Sequence, residues 1–132
     1  MIIVGERINA TRKQIRSAIE KKDKTFLLKE AGNQIKAGSD FLDLNAGTGT
    51  GREAEDLAWL IGLIQSAYPN VKLALDSSNT DVLAECIPMV NNKPVMVNSI
   101  NAETKKLNEF LPLLKKFPDV YIIALTMDDS GI

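Results

Sequence analysis

Apolar residues in this chain gather in short unbroken runs, separated by longer stretches of helical period. The runs are Ile2–Val4, Phe41–Leu44, Val71–Leu75, Pro94–Val97 and Val120–Leu125. Most are continuous rather than alternating, which is the pattern of strands covered on both faces. Between them, Lys24 to Ala37 sets Leu27, Leu28, Ala31 and Ile35 on one helical face, and Gly38 follows where a C-cap belongs. Glu53 to Tyr68 aligns Leu57, Leu60, Ile61, Ile64 and Ala67, and Pro69 ends it. Thr80 to Met89 turns Val82, Leu83, Cys86 and Ile87 inward, with Asn79 or Thr80 as N-cap. Glu103 to Lys116 does the same with Leu107, Phe110, Leu111 and Leu114, and Pro112 predicts a kink or restart there. A shorter helix is expected over Thr11 to Lys21.

This β-α-β-α rhythm implies parallel strands joined by helical crossovers. Two architectures have it: a five-stranded doubly wound sheet, and about five βα units forming the N-terminal part of a (β/α)₈ barrel. Periodicity alone does not separate them. Length bears on the choice, because a complete barrel needs about 200 residues or more and this chain has 132. Residues 1–132 read as a single domain, without repeat, low-complexity tract or linker.

Composition adds mainly exclusions. At 45% hydrophobic and 25% charged the chain is ordinary for a folded globular protein. A net charge of -1 gives no electrostatic case for nucleic acid. With no His there is no Ser-His-Asp or Cys-His relay and no His-ligated metal, and no metal site is expected. The lone Cys86 suggests a reducing, cytoplasmic setting. The start lacks a signal-peptide layout, and the longest apolar run, Leu57 to Ile64, is far too short to span a bilayer.

Candidate chemistry lies at the strand exits, where ligand sites form in both architectures. The exits read Gly5-Glu6-Arg7-Ile8-Asn9, Asp43-Leu44-Asn45-Ala46-Gly47, Asp76-Ser77-Ser78-Asn79, Asn98-Ser99-Ile100-Asn101 and Thr126-Met127-Asp128-Asp129. Many such residues only cap helices or form Asx turns, and Asn79 and Asn101 are assigned to that role. Glu6 and Arg7 are expected to form a local ion pair. Asp76 and Asn98 each directly end an apolar run and project into the strand-end mouth, as the placed polar groups of a small-molecule pocket do. Gly47-Thr48-Gly49-Thr50-Gly51 lacks the Lys-Ser/Thr of a phosphate loop and is read as a lid or wall loop. Cys86, Trp59 and Met89 are assigned to packing, and Lys115 and Lys116 to the negative end of a helix dipole.

The strings GERIN at 5–9, LDLNAG at 42–47, LDSSN at 75–79, VNSIN at 97–101 and LTMDDSG at 125–131, in this order, resemble the pterin-binding methyltransferases. That family includes methyltetrahydrofolate:corrinoid/iron-sulfur protein methyltransferase and the folate domain of cobalamin-dependent methionine synthase. The resemblance implies the N-terminal part of a dihydropteroate synthase-like (β/α)₈ barrel whose strand-end mouth holds a pterin. It places Asp76 and Asn98 at the family's pterin contacts, with Glu6, Asn9, Asp43 and Asn45 in the same mouth. It implies transfer of a methyl group from methyltetrahydrofolate to a Co(I) corrinoid (cobalamin-type) held by a partner protein. Catalytic residues are then expected beyond residue 132, with low methyl transfer by this chain alone. Alternatives are a non-catalytic pterin-binding or assembly module, which two exposed sheet edges would let pair with itself or with a second chain, and a dihydropteroate synthase-like enzyme. An unrelated doubly wound phospho-receiver would carry paired acids at the first exit, where Glu6 stands alone.

Overall fold

The computed structural model describes residues 1–101 and 104–125. Five strands, β1 (Val4–Asn9), β2 (Phe41–Asn45), β3 (Leu73–Asp76), β4 (Met96–Asn101) and β5 (Tyr121–Leu125), are joined by α1 (Lys13–Glu20) and α2 (Lys24–Lys36), then α3 (Glu53–Ala67), α4 (Thr80–Cys86) and α5 (Thr104–Lys116). All neighbouring strands pair in parallel. Their order in the sheet is β1-β2-β3-β4-β5, the same as in the chain.

That order decides between the two architectures. A doubly wound sheet reverses direction at a switch point and carries helices on both faces. Here the order never reverses, and the helices share one face. Leu42, Leu44, Leu73, Leu75, Val95 and Val97 point toward them and form one core with Ile15, Ile19, Leu27, Leu57, Leu60, Ile61, Ile64, Leu83, Phe110 and Leu113. The alternate residues point the other way, where Phe41, Ala74 and Met96 form a second, smaller cluster with Val4 and Ile123 against it. Since successive strand residues face opposite sides, the sheet is a barrel wall with an outer, helix-covered face and an inner face. The doubly wound alternative is therefore set aside.

Several local expectations shift. The first strand is not Ile2–Val4 but Val4–Asn9, so the GERIN string is strand rather than exit. Ile2 and Ile3 are exposed, at 57% and 43%. Ile3 is tied to the sheet by its backbone, its N–H donating to Asp40 Oδ2 at 2.8 Å. The α5 helix runs through Pro112 without a break, and its buried face uses Phe110 and Leu113 while Leu111 is 49% exposed. Met89, assigned to packing, is exposed on the short 3₁₀ turn Ile87–Met89. Gly38 takes a positive φ of 99° just after α2, as a C-cap glycine does. Asn79 caps α4 by accepting from the N–H groups of Asp81 and Val82. Cys86 is fully buried, and burial pushes its thiol up to about 11. No helix among the described residues is long and apolar enough to cross a membrane. The side chains of Asn101 and Leu107, and the fifth exit from Thr126 to Asp129, lie outside what the structure describes.

Candidate functional site

The inner face changes character along the strands. Toward their N-terminal ends it is apolar, with Phe41, Ala74 and Met96. Two or four residues further on, the same side of the sheet carries Asp43, Asn45, Asp76 and Asn98. The β3–β4 register sets Asp76 beside Asn98, and β2–β3 pairs Asp43 with Ala74 and Leu44 with Leu75. Four polar side chains thus share the inner face of three adjacent strands, from mid-strand at Asp43 and Asn98 to the last residue at Asn45 and Asp76.

Glu6 joins them from β1 through an irregularity. Gly5 pairs with Leu42 and Ile8 with Leu44, so β1 spends one residue more than β2 across this interval. Such a bulge re-aims a side chain. Glu6 turns inward, where its Oε1 accepts from Asn98 Nδ2 at 3.4 Å. Arg7 turns outward and its Nε reaches Glu30 Oε2 on α2 at 3.0 Å. The local Glu6–Arg7 ion pair expected from the sequence does not form, because the two side chains leave the strand on opposite faces.

Asn98 is the hub. Its Nδ2 also donates to Asp43 Oδ1 at 3.1 Å. Two carboxyl groups, those of Glu6 and Asp43, therefore accept from the one amide nitrogen. The amide oxygen is left to act as an acceptor. A second pair lies alongside: Asn45 Nδ2 donates to Asp76 Oδ2 at 3.2 Å, and Asn45 Oδ1 accepts from the Gly47 N–H at 2.9 Å. Asn45 thus holds both Asp76 and the start of the Gly-Thr-Gly loop.

Asp43 is 1% exposed. Burial, with the Asp76 and Glu6 carboxylates nearby, pushes its pKa up to about 7, against the opposing pull of the Asn98 hydrogen bond. A carboxyl in that range is present in both forms near neutral pH, so it is able to donate or to accept.

Of the six residues singled out from the sequence, Glu6, Asp43 and Asn98 form one bonded group, and Asn45 and Asp76 a second beside it. Asn9 stands apart. Its Oδ1 accepts from the backbone N–H and hydroxyl of Thr11 at 2.9 and 2.7 Å, an Asx turn that opens the way to α1. Sequence reasoning missed Gln34. It is 5% exposed on α2, and its Oε1 accepts from the Arg7 N–H at 3.1 Å. Its signal was a polar residue at the third position of the Leu27, Ala31, Gln34 stripe, which is otherwise apolar.

A separate hollow lies elsewhere. About 320 Å³, lined by Ser39, Asp40 and Tyr68 to Lys72 among others, opens near the opposite, N-terminal ends of β2 and β3. None of the six residues borders it. A five-stranded wall presents its inner face as an open trough, so the polar cluster is a surface rather than an enclosed cavity. Its chemistry, rather than its enclosure, marks it as the candidate site.

Comparison with known proteins gives the family. A family model described as pterin binding enzyme matches residues 5–130. A methylcorrinoid:tetrahydrofolate methyltransferase of Eubacterium limosum is 35% identical over 133 residues, covering 100% of this chain and 48% of that protein. The chain thus spans about half the length of that relative. The five strand-end strings lie almost wholly within the matched residues, and the chain belongs to the pterin-binding enzyme family.

Proposed function

We propose that the polar inner face of this chain binds the pterin ring of a folate, as part of a methyltransferase that exchanges a methyl group between tetrahydrofolate and a corrinoid carried by a partner protein. The observation that carries the reading is the pair of bonded groups, Glu6–Asn98–Asp43 and Asn45–Asp76, on the inner face of β1 to β4. A pterin edge offers ring N–H and amino donors beside a carbonyl and ring nitrogens. The Asp76 carboxylate and the Asn98 oxygen suit the donors. Asp43, while it keeps its proton, suits a ring acceptor. Ligands that leave these groups unpaired are disfavoured by the cost of burying them.

The E. limosum relative is named for transfer from methylcorrinoid to tetrahydrofolate. With methyltetrahydrofolate as donor and a Co(I) corrinoid as acceptor, the same step runs backward, and a catalyst lowers one barrier for both senses. In that sense the ring amine is a poor leaving group and needs a proton or hydrogen bond as the bond to methyl breaks. The whole reaction, the corrinoid-carrying partner and a cytoplasmic setting belong to the proposal.

The test is calorimetric titration of tetrahydrofolate into the chain and into Asp76→Asn and Asn98→Ala. Saturable binding, weakened about ten-fold or more by each substitution, supports the reading. Absence of saturable binding, or affinity unchanged in both variants, contradicts it.

A further inference from the structure

The bulge in β1 is held from three sides, and all three holds converge on Arg7. The Arg7 N–H, released from the strand ladder by the bulge, donates to Gln34 Oε1 at 3.1 Å. Its carbonyl accepts from Arg12 Nη1 at 2.7 Å. Its guanidinium pairs with Glu30 at 3.0 Å. Gln34 is the buried member, anchored in turn by Nε2 donating to the Glu30 carbonyl at 3.4 Å. Gly5 makes room for it: a Cβ there would collide with Gln34 Oε1 and with Ser39 Oγ.

A buried amide facing a strand has an apolar alternative that would pack well. Packing of α2 against β1 does not require Gln34 to be polar; satisfying the Arg7 N–H does. The neighbouring residue on the other face is Glu6, whose carboxylate helps to orient the Asn98 amide. We propose that Gln34 is a positioning residue for the site: by holding the bulge it sets Glu6 against Asn98, and so keeps the amide oxygen of Asn98 available to the donor edge of a bound pterin. Gln34 touches no ligand in this scheme, and it acts through the backbone of Arg7. The proposal rests on the pterin-binding reading of the strand-end cluster.

The experiment is tetrahydrofolate titration by calorimetry on the full chain and on Gln34→Leu, Glu6→Ala and the double variant, each checked for folding by circular dichroism. Gln34→Leu is expected to weaken binding about five-fold or more when Glu6 is present, and less than about two-fold when it is not. Gln34→Glu, which keeps an acceptor for the Arg7 N–H, is expected to restore most of the affinity. A merely structural role would weaken binding equally in both backgrounds; that result, or unchanged affinity in Gln34→Leu, overturns the proposal. Should Gln34→Leu fail to fold, Gln34→Met, which also lacks an oxygen acceptor for the Arg7 N–H, is compared in the same two backgrounds by the same criterion. Failure of the unaltered chain to bind overturns the pterin reading and this proposal together. Binding that Asn98→Ala abolishes but Gln34 does not affect overturns this proposal alone.

Discussion

The two faces of the sheet use neighbouring residues for opposite purposes. Leu44 and Leu75 point outward and are fully buried under the helices. Asp43, Asn45 and Asp76, one step away along the same strands, point inward and bond to one another or to Asn98. The outer face is uniform from end to end, whereas the inner face passes from Phe41, Ala74 and Met96 to carboxylates and amides within two residues. The difference teaches that stability and recognition are separable here at single-residue resolution. An apolar core residue of the outer face should bear mainly on stability, and a polar residue of the inner cluster mainly on ligand preference.

The largest expected effect lies on the outer side. Leu75→Ala removes a fully buried side chain and should cost about 2–5 kcal/mol in urea unfolding, while Asp76→Asn, its neighbour, should cost under about 1 kcal/mol. Similar losses at both positions would dissolve the distinction between the faces.

Asp43 sharpens the comparison from the inner side. Its pKa is raised from 3.8 to about 7. Between those values the folded chain keeps a proton that the unfolded chain has released, so this group's effect lowers stability as pH rises from about 4 to about 7, and is constant above. Asp43→Asn keeps an acceptor for Asn98 without the charge. It should stabilise the fold at pH 8 by about 1–3 kcal/mol and change little at pH 4. Equal effects at the two pH values, by thermal unfolding, would mean that burial of a charged inner face costs nothing.

Gly5→Ala tests the junction between the faces. The added methyl meets Gln34, so a loss of about 1–3 kcal/mol is expected, accompanied by weaker tetrahydrofolate binding. The smallest effect is reserved for a residue on neither face. Asn79→Ala removes the α4 cap and should cost about 1 kcal/mol, with tetrahydrofolate affinity unchanged.

The same division explains what was legible in the sequence. Outward strand positions and helix stripes are apolar patterns, and β2, β3, β5 and α2 to α4 follow them, whereas β4 begins two residues later than its apolar run and continues through Asn98 to Asn101, which the sequence had placed beyond the strand. The order of strands in the sheet has no local signature, so periodicity left two architectures open until the five strand-end strings were considered together. β1 was misplaced because its apolar run, Ile2 to Val4, largely precedes the strand, while the paired segment carries Glu6 and Arg7 at a bulge. A bulge is a tertiary event: here the Arg7 N–H beside it is received by Gln34, 27 residues along the chain. Asp76 and Asn98 were visible as polar residues ending apolar runs, whereas Asp43 and Asn45 were placed beside them by the family resemblance. Which of them bond to which, and that Asn9 serves a local turn, required the fold.

The most direct measurement of the central claim, that the polar end of the inner face is the ligand surface, is the ¹H–¹⁵N spectrum of the side-chain amides during a tetrahydrofolate titration. The Asn98 and Asn45 amides lie in the cluster. The Asn79 amide caps α4, and Asn92 Nδ2 bonds the carbonyls of Pro69 and Val71 near the opposite end of the strands. The expected result is saturable shifts at Asn98 and Asn45 with Asn79 and Asn92 unmoved. Shifts at Asn92 with Asn98 and Asn45 unmoved would place the ligand at the wrong end of the sheet and contradict the claim.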